Sequence, residues 1–276
     1  MTNHSAKSLA ECIELALSGQ YGIPPDKHFV SVAFMVKQFT RHAGRQTVYQ
    51  NRFICIRSGM HVGICYVEEN QIPTSKLGEC LGQPLSQMME HDLLPIRVAA
   101  LDAYMGDIFP HKYSLAKPIL IPEGNSSRKS LIRAASVIDM MDLQPGEKVA
   151  VIGVVNSLIK AIRDKKAICL PCDFSGVPTE DGDTVTRNMW DVIAQADKVL
   201  ATGMTLGNGT FEPLLDYVNH HEKLLTVFAQ TGSAVFPHLM GMSFINLCAE
   251  PFPFFSLYGY ENTCYQYRLP PKTIQQ

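Results

Sequence analysis

The sequence lacks the features that mark membrane, secreted and nucleic-acid-binding proteins. No apolar run approaches the ~18 residues expected of a membrane span, so we expect no membrane partner. Residues 1–5 show no charged stretch leading into an apolar one, which argues against secretion. A formal net charge of −2 provides no basic excess for nucleic acid. We therefore expect a cytoplasmic protein without membrane or nucleic-acid partners.

Motifs for common catalytic chemistries are also missing. The nine histidines include no H-E-x-x-H spacing, and there is no G-x-S-x-G elbow, no Walker loop and no convincing carboxylate pair. These absences argue against the commonest hydrolase and kinase chemistries. Of the dinucleotide fingerprint G-x-G-x-x-G, Gly153 alone is present. The sequence leaves open whether the protein is an enzyme.

What is present describes a globular protein of two domains. The 276 residues exceed the usual size of one domain, and a hydrophobic content of 46% supplies sizeable cores. Several of the eight cysteines, Cys55 and Cys65 among them, sit within apolar strand patterns, where a free thiol behaves as a small core side chain. With no export signal, we expect reduced thiols in the cytosol.

The first part of the chain predicts a small α+β domain over residues 1–120. Helical spacing of apolar residues and, further on, period-two patterns separate its elements. The predicted helices are residues 5–18, 85–90 and 93–108, and the predicted strands are residues 29–36, 47–57 and 61–67. Residues 121–145 are predicted to be a linker with a connecting helix at residues 128–141. Its apolar positions are Leu131, Ile132, Ala135, Ile138 and Met141.

Residues 146–276 predict a Rossmann-like α/β domain with a mostly parallel sheet and helices on both faces. Short apolar segments alternate here with segments of helical length, as in repeated βα units. The predicted strands are residues 148–152, 167–170, 198–201, 224–228 and 244–247. The predicted helices are residues 157–164, 187–195, 211–218 and 237–240. We expect the strand at residues 148–152 to be central in the sheet.

Three polar, glycine-containing loops follow predicted strands and predict a ligand site at one edge of the sheet. Glycine lets the backbone approach a ligand, and Asn, Ser and Thr cap helices whose free N–H groups favour anions. The candidate ligand-binding residues are Gly153, Asn156, Ser157, Thr205, Asn208, Gly209, Thr210, Thr231, Gly232 and Ser233. Asp173 follows the second strand, where an acid holds ribose hydroxyls in dinucleotide-binding domains, although it could equally be a turn residue. Either Asn208 or Thr210 is expected to cap the helix at residue 211 and to leave the other facing the site.

Cysteine and histidine supply the candidates for binding a metal directly. Cys169 and Cys172 form a lone C-x-x-C without the second pair of a zinc ribbon. Structural cysteines, soft-metal ligands and redox thiols all remain open for this pair. His238, beside Pro237, is a further candidate ligand.

The chain resembles a family often labelled heavy-metal chelatases. Residues 196–212 are similar to the family pattern A-D-x-V-x-x-T-G-x-T-L-x-N-G-T, and residues 151–153 and Asp173 fit as well. Residues 230–234 are similar to its glycine-proline-serine loop, with the proline replaced. Asp102 stands where the family usually carries asparagine. The resemblance implies an enolase-N-terminal-like domain before a Rossmann-like one, and the handling of metals or metal compounds.

Three functional hypotheses remain open from the sequence. The first is binding or processing of a small anionic or metal-chelating molecule, in metal acquisition or metallophore biosynthesis, with a divalent metal or metal chelate as the cofactor or cargo. The second is a nucleotide- or S-adenosylmethionine-dependent enzyme, and the third is a non-catalytic partner subunit. The aromatic C-terminal run beginning at residue 251 exceeds what a monomer normally exposes, so we expect it to cover the domain junction or a homodimer interface.

Overall fold

The computed structural model describes residues 6–41, 48–239 and 245–268, which form two β-sheets and the helices packed on them. The strands within these ranges are β1 (Val32–Thr40), β2 (Tyr49–Ser58), β3 (His61–Tyr66), β4 (Lys117–Ile121), β5 (Lys148–Ile152), β6 (Ile168–Cys172), β7 (Lys198–Thr202), β8 (Leu224–Ala229), β9 (Ile245–Ala249) and β10 (Asn262–Tyr267). The α-helices are α1 (Leu9–Leu17), α2 (Thr74–Glu79), α3 (Leu85–Met89), α4 (Leu94–Ile108), α5 (Ser126–Ile138), α6 (Asn156–Asp164), α7 (Trp190–Ile193), α8 (Met204–Gly207), α9 (Phe211–His220) and α10 (Phe236–Leu239).

The large sheet has the strand order β4-β10-β9-β8-β7-β5-β6. Strands β6, β5, β7, β8 and β9 run parallel, whereas β10 is antiparallel to both of its neighbours. Side chains alternate across β5, so that Val149 and Val151 belong to the core with α5 and α6. Ala150 and Ile152 belong to the core on the other face, with α4 and α9. The predicted Rossmann-like, mostly parallel sheet with helices on both faces is confirmed.

The small sheet is antiparallel, in the order β1-β2-β3, and α4 covers one of its faces. Gly63 of β3 permits this close contact, because a Cβ there would lie 2.0 Å from the Ala99 carbonyl oxygen of α4. Buried side chains of the small sheet and of α4 share one core with a face of the large sheet. The two sheets are therefore joined by a common hydrophobic core.

We predicted that β5 would be central in the large sheet, and this prediction is wrong. It lies one position from the edge, between β6 and β7, and β8 takes the middle position. The reason is that only β6 lies beyond β5 on one side, whereas β7, β8 and β9 all lie on the other; on that second side β10 and β4, which the sequence analysis did not predict, extend the sheet further. The predicted ends at Ser5, Thr47, Met240 and Phe244, and the last eight residues of the predicted second domain, lie outside the described residues.

The predicted linker is structurally continuous with the large sheet. Strand β4 pairs with β10, and α5 packs against α6. The division of the chain at residues 120 and 146 stays a prediction. The helix predicted at residues 187–195 is reduced to the four residues of α7. Asn188 Oδ1 accepts a hydrogen bond from the Trp190 N–H, which favours a turn before that helix.

Helix α5 buries only part of the predicted apolar face, since Ile138 and, just after the helix, Met141 are buried as predicted. Leu131 and Ala135 are exposed, whereas two basic residues, Lys129 and Arg133, are buried. Lys129 Nζ donates hydrogen bonds to the Tyr258 and Tyr260 carbonyl oxygens and to Asn262 Oδ1. Burying a charged group is tolerated when its donors are satisfied, and here the C-terminal segment satisfies them.

The aromatic C-terminal run packs against the small sheet. The Phe254 ring lies 5.1 Å from that of Phe53, centroid to centroid, and the Phe252 ring lies 5.8 Å from that of Phe34. The run therefore lies against the small sheet, and its expected place at a domain junction or a homodimer interface stays a prediction. Tyr258 and Tyr260 remain exposed.

We expect Phe254→Ala to destabilise the protein by about 3–5 kcal/mol, the usual cost of truncating a buried phenylalanine. The Phe254 side chain is 0% exposed and anchors residues 251–255 on β2. Urea unfolding would measure the loss. Tyr260→Ala, which removes an exposed ring of the same segment, serves as the control and is expected to change stability by less than about 1 kcal/mol. Equal effects of the two substitutions would contradict this account.

Two further observations concern the environment of the chain. In the ranges given above, no helix combines the length and apolar character that a bilayer crossing requires. All eight cysteines are free, and all but the half-buried Cys169 are buried. The cytoplasmic location stays a prediction.

Candidate functional site

The strand order reverses at β5, and a cleft opens there. The chain places β6 on one side of β5 and then β7 on the other. The loops that leave the carboxyl ends of β5 and β7 therefore lead to opposite sides of the sheet order. Such a switch point is where open α/β sheets bind ligands. The cleft has a volume of about 810 Å³ and is lined by the large sheet's loops and by β1, β2 and α5. This volume suits a small molecule.

Seven of the predicted ligand-binding residues line this cleft. They are Gly153, Asn156, Asp173, Thr205, Asn208, Thr210 and Thr231. The structure therefore brings together all three predicted loops. The remaining four, Ser157, Gly209, Gly232 and Ser233, belong to the same loops but do not line the cleft.

Gly153 and Asp173 shape the first part of the cleft wall. Gly153 has φ +89°, and a Cβ there would lie 2.6 Å from Thr202 Cγ2, so glycine permits close packing of two adjacent strand ends. Asp173 Oδ2 accepts from the Val154 N–H at 3.0 Å, and Oδ1 accepts from the Ser175 N–H at 2.9 Å. Both carboxylate oxygens thus hold backbone in place, a loop-building role rather than a ribose-binding one.

Asn156, the first residue of α6, connects the cleft wall to the small sheet. Its backbone N–H and its Nδ2 donate to the Tyr49 hydroxyl, at 3.1 and 2.7 Å. Its Oδ1 accepts from the Glu180 N–H at 3.1 Å. Tyr49 comes from β2, so one asparagine ties together the helix start, the small sheet and the long loop after β6.

Neither Asn208 nor Thr210 caps α9 with its side chain, contrary to our expectation. Thr210 holds the N-cap position without a side-chain hydrogen bond into the helix. Asn208 Oδ1 instead accepts from the Thr210 N–H and hydroxyl, at 3.1 and 2.7 Å. Asn208 follows the short helix α8, which the sequence analysis treated as loop. This turn leaves both side chains on the cleft wall.

The third loop is fastened to the small sheet rather than left free. Thr231 Oγ1 accepts from the Tyr66 N–H at 2.9 Å, and the Gly232 N–H donates to the Ile64 carbonyl oxygen at 3.0 Å. Gly232 has φ +61°, a conformation that suits glycine. The loop is therefore positioned by β3.

Asp102 of α4 provides a second connection between β3 and the loop after β8. Its Oδ2 accepts from the Ile64 N–H at 2.8 Å, and its Oδ1 accepts from the Ala234 N–H at 2.7 Å. The side chain is fully buried, and desolvation raises the pKa of its carboxyl to about 7, against the opposing effect of the backbone hydrogen bonds. One carboxyl thus joins α4, β3 and the loop after β8.

Arg133 lines the cleft, and sequence reasoning missed it. Its Nη2 lies 3.4 Å from Glu250 Oε2, and its guanidinium carbon lies 5.0 Å from the centroid of the Phe228 ring. The residue is 5% exposed, and in the described part of the chain its Nε has no hydrogen-bond partner. Burial raises the pKa of the Glu250 carboxyl, and Arg133 opposes that shift. The signal for Arg133 in the sequence was a cation that shares a helical face with Ala134 and Val137.

The metal-binding candidates are not brought together. Cys169 and Cys172 are three residues apart on β6, so their thiols point to opposite faces of the sheet. Cys172 lines the cleft, whereas Cys169 packs in the core with α5 and α6. Burial raises the pKa of the Cys172 thiol to about 11 and that of the Cys169 thiol to about 12, which keeps both thiols protonated at neutral pH.

His238 lies in a third place, against the rings of Tyr21 and Phe109. Burial lowers the pKa of its imidazole to about 4. Across residues 6–41, 48–239 and 245–268, no three His, Cys, Asp or Glu side chains are grouped so that they could hold a metal ion.

We expect Asn208→Asp to weaken ligand binding at least tenfold with little loss of stability. The aspartate keeps the Oδ1 acceptor for Thr210 but replaces the Nδ2 donor with a negative charge on the cleft wall. An anionic ligand loses a hydrogen bond and meets a like charge. Binding calorimetry and urea unfolding of the same samples would separate the two effects.

Asn125→Asp is the matched control for that substitution. Asn125 Oδ1 also accepts a backbone N–H at a helix start, from Arg128 at 2.9 Å, but it lies outside the cleft. We expect this control to leave affinity unchanged. If Asn208→Asp binds the ligand as tightly as the control does, Asn208 only builds the turn.

The fold and the cleft define a two-sheet α/β protein with a small-molecule-sized cleft at the switch point of its large sheet. A family model described as "DUF364: Putative heavy-metal chelation" matches residues 136–227, which are 92 of the 276 residues. This match confirms the family resemblance predicted from the sequence. It connects the chain with metal-related binding in general terms.

Two solved structures from the same family have a similar fold. One is a protein of unknown function from Desulfitobacterium hafniense, 15% identical, with a TM-score of 0.63 and coverage of 95% of this chain and 98% of that one. The other is a protein of unknown function from Pyrococcus horikoshii, 14% identical, with a TM-score of 0.53 and the same coverage. At these identities the likeness shows the fold alone. No curated protein matches the chain significantly in sequence.

Proposed function

We propose that the cleft binds a small anionic, metal-chelating molecule. The observation that carries this proposal is Arg133, a buried guanidinium on the cleft lining whose Nε lacks a protein partner in the described ranges. An arginine cannot lose its charge in a protein, and its planar donors match carboxylate oxygens. A ligand anion in the cleft would lie beside this permanent positive charge and pair with it.

The other polar groups of the cleft also suit a chelate better than a free cation. Amide and hydroxyl side chains predominate among the polar residues of the cleft lining, and they include Ser130, Asn156, Thr205 and Gln230. Such neutral groups hydrogen-bond the oxygens of a chelating ligand, whereas a naked soft cation requires thiolates or imidazoles. The metal would therefore enter already bound to its chelator, as cargo rather than as a resident cofactor.

The biological setting that we infer is metal acquisition or metallophore biosynthesis in the cytoplasm. The description of the matching family model supports a metal-related role, and the free cysteines suit a reducing compartment. We keep a homodimer as the proposed assembly, because exposed apolar side chains such as Phe29 and Phe39 remain on and beside the edge strand β1.

A thermal-shift panel tests the proposal. It compares citrate, iminodiacetate and pyridine-2,6-dicarboxylate, each alone and as its zinc complex, with zinc alone, ATP and S-adenosylmethionine. A compound at 100 times its Kd adds about 2.7 kcal/mol of stability. We expect stabilisation by at least one chelator or its zinc complex and not by zinc alone. Stabilisation by zinc, ATP or S-adenosylmethionine but by no chelator would overturn the proposal.

A further inference from the structure

We propose that the chelator bound in the cleft contains an aromatic ring that carries its anionic oxygens. This inference rests on the proposed function and names the class of ligand. Its observation is a series of aromatic side chains along the cleft, with the buried cation among them. The rings are those of Tyr49, Tyr66, Phe174, Trp190, Phe228 and Phe255.

Two of these rings are exposed although they line a cleft. Phe174 is 60% exposed and Trp190 is 41% exposed. The Trp190 ring is held by packing 5.5 Å from the ring of Tyr217, and the backbone beside Phe174 is held by the Asp173 carboxylate, which accepts from the Ser175 and Val154 N–H groups. Rings held in place with uncovered faces can stack on a flat ligand at little further entropic cost.

Tyrosines of the small sheet provide further rings in the cleft. The Tyr49 hydroxyl accepts both Asn156 hydrogen bonds, which fixes the position of its ring. The pKa of the Tyr66 phenol is raised to about 12. Burial is the largest cause of this shift, and the charge of Glu68 and a hydrogen bond with Glu68 add to it. Both walls thus present aromatic groups, and the phenol of Tyr66 is neutral at physiological pH.

The cation is itself placed among rings. The Arg133 guanidinium carbon lies 5.0 Å from the centroid of Phe228 and 6.0 Å from that of Phe255. An aliphatic acid could pair with Arg133 but would leave the faces of Phe174 and Trp190 in water. A flat aromatic acid can pair with the cation through its anionic oxygens and stack on aromatic side chains of the cleft with its ring. Among the residues that the structure describes, the other charged side chains lining the cleft are Glu68, Asp173 and the exposed Arg187, of which Asp173 is bound to backbone N–H groups.

A matched pair of chelators tests this inference. Pyridine-2,6-dicarboxylate and iminodiacetate both offer one nitrogen and two carboxylates, and they differ in the aromatic ring. Calorimetric titration of the full chain with each zinc complex should give at least tenfold tighter binding of the pyridine compound. Trp190 is the single tryptophan of the sequence, so its fluorescence should change on binding and report the location.

Substitution of Phe174 supplies the second arm. Phe174→Leu keeps apolar bulk and removes the ring, and we expect it to reduce the preference for the pyridine compound at least fivefold. Phe29→Leu, at another exposed phenylalanine outside the cleft, should leave that preference unchanged.

Each outcome separates this inference from the proposed function. Equal affinity for the two complexes would overturn the aromatic class and leave the proposed function standing. A preference that survives Phe174→Leu unchanged, or binding with no response of Trp190, would also overturn it. Binding of neither complex, together with a panel in which no chelator stabilises the chain, would remove the proposed function itself.

Discussion

The double variant Arg133→Met, Glu250→Gln is expected to bind an anionic chelate at least 100-fold more weakly than the parent while remaining folded. Arg133 is the buried cation of the cleft, and a lost charge-assisted, desolvated pair is worth several kcal/mol. The second substitution is needed because Arg133→Met alone leaves the Glu250 carboxylate without its ion-pair partner. Breaking a buried pair in this way usually costs about 3–5 kcal/mol of stability.

Arg128→Met provides the control for charge. Arg128 lies on α5 like Arg133, but it is exposed and outside the cleft. Calorimetric titration with a stabilising chelate from the panel, alongside urea unfolding, gives both readouts. Affinity in the double variant equal to that of the Arg128 control would show that the ligand does not use the buried guanidinium.

Asp102→Ala is expected to destabilise the protein by about 3 kcal/mol or more. The substitution leaves at least two buried backbone N–H groups, those of Ile64 and Ala234, without their acceptor. Each buried unsatisfied donor costs about 1–3 kcal/mol. Urea unfolding measures the effect. A loss below about 1 kcal/mol would contradict the role of Asp102 in joining α4, β3 and the loop after β8.

The pH dependence of the same residue has a definite sign. The pKa of the Asp102 carboxyl is raised by burial from 3.8 to about 7, so between these values the folded chain retains a proton that the unfolded chain releases. The stability from this group is therefore fully present below about pH 4 and is lost as the pH rises towards 7. Relative to Asp102→Asn, which does not titrate, the parent should lose up to about 1.4 kcal/mol per pH unit across this window. A stability difference independent of pH would contradict the raised pKa.

Much of the fold could be predicted because local patterns determine it. The period-two patterns at β2 and β3 and the short apolar run at β5 each indicate a strand. In the structure these three strands begin and end within a few residues of their predicted bounds. The placement of the cleft also followed, because loops after parallel strands meet at one edge of a sheet. Seven predicted residues line that edge together.

The residues that sequence reasoning missed act through distant partners. Lys129 and Arg133 appear as solvent-facing charges until residues 250–262 supply their acceptors, more than 100 positions along the chain. Tyr49 reaches Asn156 across 107 positions. Such contacts depend on tertiary packing, and no local periodicity records them.

The C-x-x-C pair shows that two residues close in sequence need not have side chains that lie close together. Cys169 and Cys172 would approach each other on a helix or in a turn, but a strand turns residues i and i+3 to opposite faces. Secondary structure had to be known before the motif could be interpreted.

The most direct test of the account is anomalous X-ray diffraction at the zinc edge from crystals grown with the zinc complex of pyridine-2,6-dicarboxylate. The account predicts an anomalous peak inside the cleft, with the chelator's carboxylate on Arg133 and contacts to at least two of the three loops that carry Asn156, Asn208 and Thr231. A peak at Cys169 or His238, or a chelate bound outside the cleft, would contradict it.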